Sequence, residues 1–359
     1  MVASCNTLLA EGPDRLESDS CTSGFPIIDP HPEMLPVTLL TGFLGSGKTT
    51  LLNRLLSTPG VPRIAVIENE FGAVNIDSAL LVRSTDEEIV ELENGCLCCT
   101  VRGDLRRVLL DLANRRAAGE LRFERVVIES TGLALPAPVV QTFLVDTAVA
   151  ACYRLDGVVT VVDAVHGEAQ IRSSPEAREQ IGFADRLVLS KTDLVAPDGT
   201  ATLRAALREI NAHAGIRTAS LNDAAADWLL DVGGFDPATV ADLHPGFPRY
   251  RRPADHEPDI ESLVYEAGTA FDAERLDLFL DLILDWYGLD LLRGKGLLDI
   301  EGAEGRTVLQ IVHRHRTFSS GGPWVNSDKR GSVLVFIGRR LPRDVFIQGL
   351  DKCLAGAVV

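Results

Sequence analysis

Thr38-Leu39-Leu40-Thr41-Gly42-Phe43-Leu44-Gly45-Ser46-Gly47-Lys48-Thr49-Thr50 joins a strand-like run to a glycine-rich loop and the start of a helix. The apolar stretch from Val37 to Leu40 reads as a strand, and Thr49 to Leu56 reads as a helix. Gly42, Gly47, Lys48 and Thr49 satisfy the spacing G-x-x-x-x-G-K-[ST] in full. The spacing has a chemical reason. Glycines let backbone N–H groups turn inward around a phosphate chain, and the helix N-terminus adds a favourable dipole. A lysine at position 48 reaches the β- and γ-phosphates, and the Thr49 hydroxyl helps to hold Mg²⁺. A nucleoside triphosphate site is expected here.

Downstream, Arg63 to Ile67 is a second apolar run, closed by Glu68-Asn69-Glu70-Phe71-Gly72. Acidic and amide side chains at a strand's end lie where α/β sheets hold their ligands. Asp77 follows in a polar turn, in a segment able to sense the γ-phosphate through Mg²⁺. Glu93-Asn94-Gly95-Cys96-Leu97-Cys98-Cys99 then sets three thiols on an Asn-Gly bend. Thiolates suit Zn²⁺ or Cu(I), with Zn–S near ~2.3 Å. Three of them leave a fourth position for water, Glu68, Glu70 or a ligand from another protein. Buried structural cysteines and a redox pair are the other readings of the triplet.

Arg122 to Ile128 reads as a strand ending in Glu129-Ser130-Thr131-Gly132. The Glu129 carboxylate can join the Mg²⁺ shell, and the Gly132 N–H can contact a γ-phosphate. Val158 to Val162, ending in Asp163, offers a rival acid. Glu129 is favoured because Gly132 follows it and no such glycine follows Asp163. Arg186 to Leu189 delivers Ser190-Lys191-Thr192-Asp193, in which Asp193 can accept from the guanine N1–H and amino group while the Lys191 stem packs on the base. GTP is therefore expected over ATP.

The alternation of strands and helices from Pro36 to about Asn222 predicts a mainly parallel sheet flanked by helices. The domain reading places a flexible, acidic extension at 1–35, the nucleotide domain at 36–225, a linker at 226–258 and a smaller α+β domain at 259–359. That last domain is expected to hold about four strands and two helices, with His313 and His315 alternating along one strand. These two histidines and His166 are weaker metal candidates. Cys5 and Cys21 read as incidental.

The formal charge of −16 argues against nucleic acid and anionic lipid as partners. No apolar run reaches membrane-spanning length, and the N-terminus shows no basic-then-apolar signal pattern. Seven cysteines, three of them within four positions, do not resemble a secreted disulfide framework, so a reducing cytoplasm is the expected compartment.

Together these motifs resemble the CobW family of P-loop GTPases. The resemblance covers about Leu35 to Leu354 and rests on TGFLGSGKTT (41–50), ENEFG (68–72), NGCLCC (94–99), ESTGLALP (129–136) and SKTD (190–193). RGKGLL (293–298) and SVLVFIGRRL (332–341) extend it into the last domain. It implies a GTPase that binds Zn²⁺, or a related ion such as Co²⁺, at Cys96, Cys98 and Cys99, with Glu68 as a further ligand. Hydrolysis of GTP to GDP would drive delivery of the ion to a client apoprotein, met through the C-terminal domain. The resemblance places Gly42, Gly45, Ser46, Gly47, Lys48, Thr49 and Thr50 on nucleotide, with Gly132, Lys191 and Asp193. It gives Mg²⁺ to Thr49, Asp77 and Glu129, and the catalytic work to Lys48, Thr49 and Glu129. Dimers are common among related GTPases, and a homodimer is open to this chain. Two departures stand out: Ser190 where Asn or Thr is usual, which bears on guanine discrimination, and Leu135 where Asp is frequent. The His-rich loops of some zinc-handling members are absent, which argues against bulk metal storage.

A metal buffer or regulator with a vestigial GTPase is the alternative function. A P-loop kinase fits less well with SKTD and the thiols. No glutamine or arginine finger stands out in the sequence, so slow intrinsic turnover is expected.

Overall fold

The computed structural model describes Phe25 and residues 34–69, 80–83, 89–92, 101–219, 226–230, 232, 260–324 and 330–357. Two compact units emerge, the second taking Phe25, Arg208–His213 and residues from 260 onward.

The first unit is built on β1 (Leu35–Thr41), α1 (Lys48–Leu56), β2 (Ile64–Asn69), β3 (Leu80–Arg83), β4 (Ile89–Leu92) and α2 (Val101–Ala117). It continues with β5 (Arg125–Ser130), α3 (Pro136–Val145), α4 (Thr147–Cys152), β6 (Tyr153–Asp163), α5 (Gly167–Ser173) and α6 (Pro175–Phe183). β7 (Arg186–Ser190), α7 (Pro197–Ile210), β8 (Gly215–Thr218) and α8 (Ala226–Leu230) complete the list. Six strands form one sheet in the order β2-β5-β1-β6-β7-β8, and every pairing is parallel. Strands buried on both faces must be apolar throughout, which is why Val37, Leu39, Val126, Ile128, Val158 and Leu187 are at most 0 % exposed. β3 and β4 pair as a separate antiparallel hairpin.

The sheet order matters for function. β1 lies between β5 and β6, so the chain leaves its carboxyl end at a topological switch point, where open α/β sheets bind ligands. Register then aligns the strand ends: Glu68 opposite Glu129, Leu40 opposite Glu129, Thr41 opposite Thr160, and Asp163 opposite Ser190.

The second unit contains β9 (Glu261–Ala267), α9 (Ala273–Tyr287), β10 (Leu291–Leu298), β11 (Gly305–Val312), β12 (His315–Pro323), β13 (Ser332–Gly338) and α10 (Arg343–Lys352). Its sheet is antiparallel, ordered β12-β11-β10-β13-β9. This is one strand more than the sequence suggests, because β11 and β12 form a tight hairpin that reads as a single run. His313 sits in that hairpin turn at φ 53°, and His315 begins β12 opposite Val312, so the two histidines do not share a strand face. Phe271, Leu276, Leu280, Leu309, Phe336 and Phe346 form the core.

Phe25 belongs to this core as well. It is 4 % exposed and stacks on Phe318 at 4.0 Å between ring centroids. The sequence places it in a flexible extension, since one aromatic among polar neighbours carries no periodic signal. Among the described residues no helix is long and apolar enough to cross a membrane.

Candidate nucleotide site

The loop after β1 begins at Gly42, whose φ of 142° already disfavours a side chain. A Cβ there would also come within 2.3 Å of the Val161 carbonyl. The loop ends at Gly47, which caps α1 with no side-chain hydrogen bond. The first N–H groups of α1 therefore lack a capping partner from the side chain of residue 47, the arrangement that receives an anion.

Lys48 is buried, and its Nζ donates to the Gly42 carbonyl at 2.9 Å and the Phe43 carbonyl at 3.4 Å. Burial pushes its pKa below the ordinary 10.5, and the Glu129 carboxylate pulls it part of the way back. The Thr49 hydroxyl donates to Glu129 Oε1 at 2.6 Å, so strand β5 and helix α1 bring these two side chains together. Both offer hard oxygen, the donor chemistry Mg²⁺ prefers. Ser130 Oγ donates to Thr41 Oγ1 at 2.9 Å and ties the ends of β5 and β1. Gly132 follows under the loop, where a Cβ would lie 2.6 Å from both N and Cα of Leu44. Ser46 Oγ is buried without a hydrogen-bond partner among the described residues. Gly45, Thr49 and Thr50 are exposed.

On the other side of the loop, Ser190 Oγ donates to the Ser46 carbonyl at 2.6 Å. The serine thus ties β7 directly to the phosphate loop. Lys191, at φ 54°, donates from Nζ to the Gly45 carbonyl at 2.8 Å and to Asp163 Oδ2 at 2.7 Å. Asp163 Oδ1 accepts from the N–H groups of Val165 and His166 at 2.8 and 3.3 Å. Burial pushes the Asp163 carboxyl up, but Lys191 and those two N–H groups outweigh it and hold it below its ordinary value. Both oxygens of Asp163 are engaged, which leaves Glu129 as the acid beside Thr49. Asp193 stands exposed in the turn Thr192–Leu194. Leu135 precedes α3 and makes no capping bond.

Glu68 is the next-to-last residue of β2 and is partly buried. Asp77 and Cys96, Cys98 and Cys99 lie outside the described residues, as does Glu70. Among the described residues no three His, Cys, Asp or Glu side chains cluster to hold a metal. Sequence reasoning missed two contributors: Asp163 as the partner of Lys191, and Gln180 on α6, which reaches the loop after Gly132.

A family model described as the CobW/HypB/UreG nucleotide-binding domain matches residues 36–218, and one described as the cobalamin synthesis protein cobW C-terminal domain matches 260–354. The zinc chaperone YjiA of Escherichia coli is 39% identical over 311 residues, spanning 86% of this chain and 96% of that protein. The zinc-regulated GTPase metalloprotein activator 1 of Dictyostelium discoideum is 33% identical over 304 residues, 74% of this chain and 62% of its own length. A crystal structure of Zn(II)-bound YjiA GTPase from E. coli superposes with a TM-score of 0.71 at 36% identity, covering 90% of this chain and 99% of that one. The two matched spans cover both folded domains, and the chain belongs to the CobW/HypB/UreG family.

Proposed function

We propose that this protein is a GTP-hydrolysing zinc chaperone that binds the ion at Cys96, Cys98 and Cys99, with Glu68 nearby, and passes it to a client metalloprotein. The GTPase part follows from family membership and from relatives named as GTPases and zinc chaperones. The observation that carries the reading is the Thr49–Glu129 contact at 2.6 Å beside a buried Lys48, on the loop at the switch point of the sheet.

Lys48 now satisfies loop carbonyls, and phosphate oxygens would take their place. Glu129 orients the Thr49 hydroxyl, and both would hold Mg²⁺, which would supply positive charge to offset that of the phosphates. Gly132 offers its N–H to the γ-phosphate. Asp193 and Lys191 read the base, with Ser190 and Asp163 fixing that loop to the phosphate loop. Glu68 pairs directly with Glu129 across β2 and β5, so the strand that would carry a zinc ligand lies beside the strand that carries the acid for Mg²⁺. Loss of the γ-phosphate would be felt at the thiolates through this strand and the segment that follows it.

The C-terminal domain suits recognition of the client. On α9 and just beyond it, Leu278, Leu282, Trp286 and Leu289 are 59 to 77 % exposed, an apolar row at helical spacing. Exposed Glu274 and Asp285 flank it, favouring a partner surface with apolar groups bordered by positive charge.

Lys48→Ala tests the reading. Phosphate release from GTP should fall at least about 100-fold, and zinc transfer from the protein to a fluorescent chelator should lose its dependence on GTP. Transfer that stays GTP-dependent in this variant would contradict the proposal.

A further inference from the structure

We propose that Gln180 is the positioning residue that sets Gly132 for the γ-phosphate, and so controls how the site tells a triphosphate from a diphosphate. This rests on the GTPase reading above. Gln180 lies on α6 and is 1 % exposed. Its Nε2 donates to the Gly132 carbonyl and the Ala134 carbonyl, both at 3.0 Å. A side-chain amide carries two donors, and here both act on one short loop. The main chain of Gln180 is fixed in turn, because its carbonyl accepts from Thr160 Oγ1 of β6 at 2.8 Å.

Gly132 needs such support. Without a Cβ it can rotate through conformations closed to other residues, and its N–H is useful only in one orientation. The peptide before it is held by the turn in which Ala134 N–H donates to the Thr131 carbonyl at 3.1 Å. The peptide after it is held by Gln180. On the opposite side, Leu44 of the phosphate loop packs so closely that a Cβ on Gly132 would overlap its main chain. Gly132 is therefore clamped between the phosphate loop and α6.

The amide also has a cost. Gln180 Oε1 is buried without a hydrogen-bond partner among the described residues. A leucine or methionine would fill the space without stranding an oxygen, so packing alone does not account for the residue. Its two donors do.

The test uses the full chain with Gln180→Met, which keeps the length and removes the donors, and Gln180→Glu, which keeps the polar shape. Affinities for Mg²⁺·GDP and for a non-hydrolysable GTP analogue are measured together with the unfolding temperature. The inference predicts that GDP binding stays within about twofold while analogue binding weakens at least about tenfold, or roughly 1.4 kcal/mol. A merely structural role would weaken both nucleotides alike. Equal losses, or no loss in either variant, would overturn it. Failure of the unaltered chain to bind either nucleotide would overturn the GTPase reading, and this inference with it.

Discussion

Lys48 illustrates how a charged residue is kept ready in a buried place. Burial lowers its pKa from 10.5, and Glu129 opposes that fall. In the unfolded chain the group binds its proton more tightly, so on this account stability of the nucleotide-free protein rises as pH climbs from the depressed pKa toward 10.5. Phosphate oxygens favour the charged form. Nucleotide binding should therefore draw a proton onto Lys48 at alkaline pH, and affinity should fall as pH rises past its depressed pKa. Calorimetry of GDP binding in buffers of different ionisation enthalpy checks this; proton release in that range would contradict it. Glu129 has a second duty, since it accepts from Thr49 at 2.6 Å. Glu129→Gln should weaken Mg²⁺ about 10- to 100-fold, read as a shift in the Mg²⁺ concentration that half-activates hydrolysis. A shift under about threefold would remove Glu129 from the Mg²⁺ site.

The elements show why part of this site could be read from sequence and part could not. β1, β5 and β7 are short, largely apolar runs closed by polar residues, β6 ends in one such run, residues 158–162 before Asp163, and a parallel sheet brings those closures to one edge. Local pattern therefore points to Lys48, Thr49, Glu129 and Asp193. The partnership of Asp163 with Lys191 depends instead on the register of β6 with β7. Gln180 is one polar residue in a short helix, and its meaning lies in a loop far away in sequence. In the second domain, Gly294, Lys295 and Gly296 interrupt the apolar pattern of β10, although the whole strand is buried between β11 and β13. The β11–β12 turn uses His313 at positive φ without the glycine or asparagine that would announce it. Side chains that act across elements leave little trace along the chain.

For the whole molecule, the acidic stretch before the phosphate loop contributes more than charge. Phe25 fills the second unit's core against Phe318. Phe25→Ala should destabilise that unit by about 3 kcal/mol, seen as a lower urea midpoint for its transition; a loss under about 0.5 kcal/mol would show that the ring is not held there. A chaperone must also connect two ligands. Here Glu129 and Glu68 pair near the carboxyl ends of neighbouring strands of one sheet, and the thiols follow Glu68 along the sequence.

Zinc affinity measured with GDP and with a non-hydrolysable GTP analogue, with Cys98→Ala as control, tests that connection most directly. The account predicts a difference of at least about tenfold between the two states, a coupling of roughly 1.4 kcal/mol, with tight binding lost in the control. Equal zinc affinity in both states would contradict it.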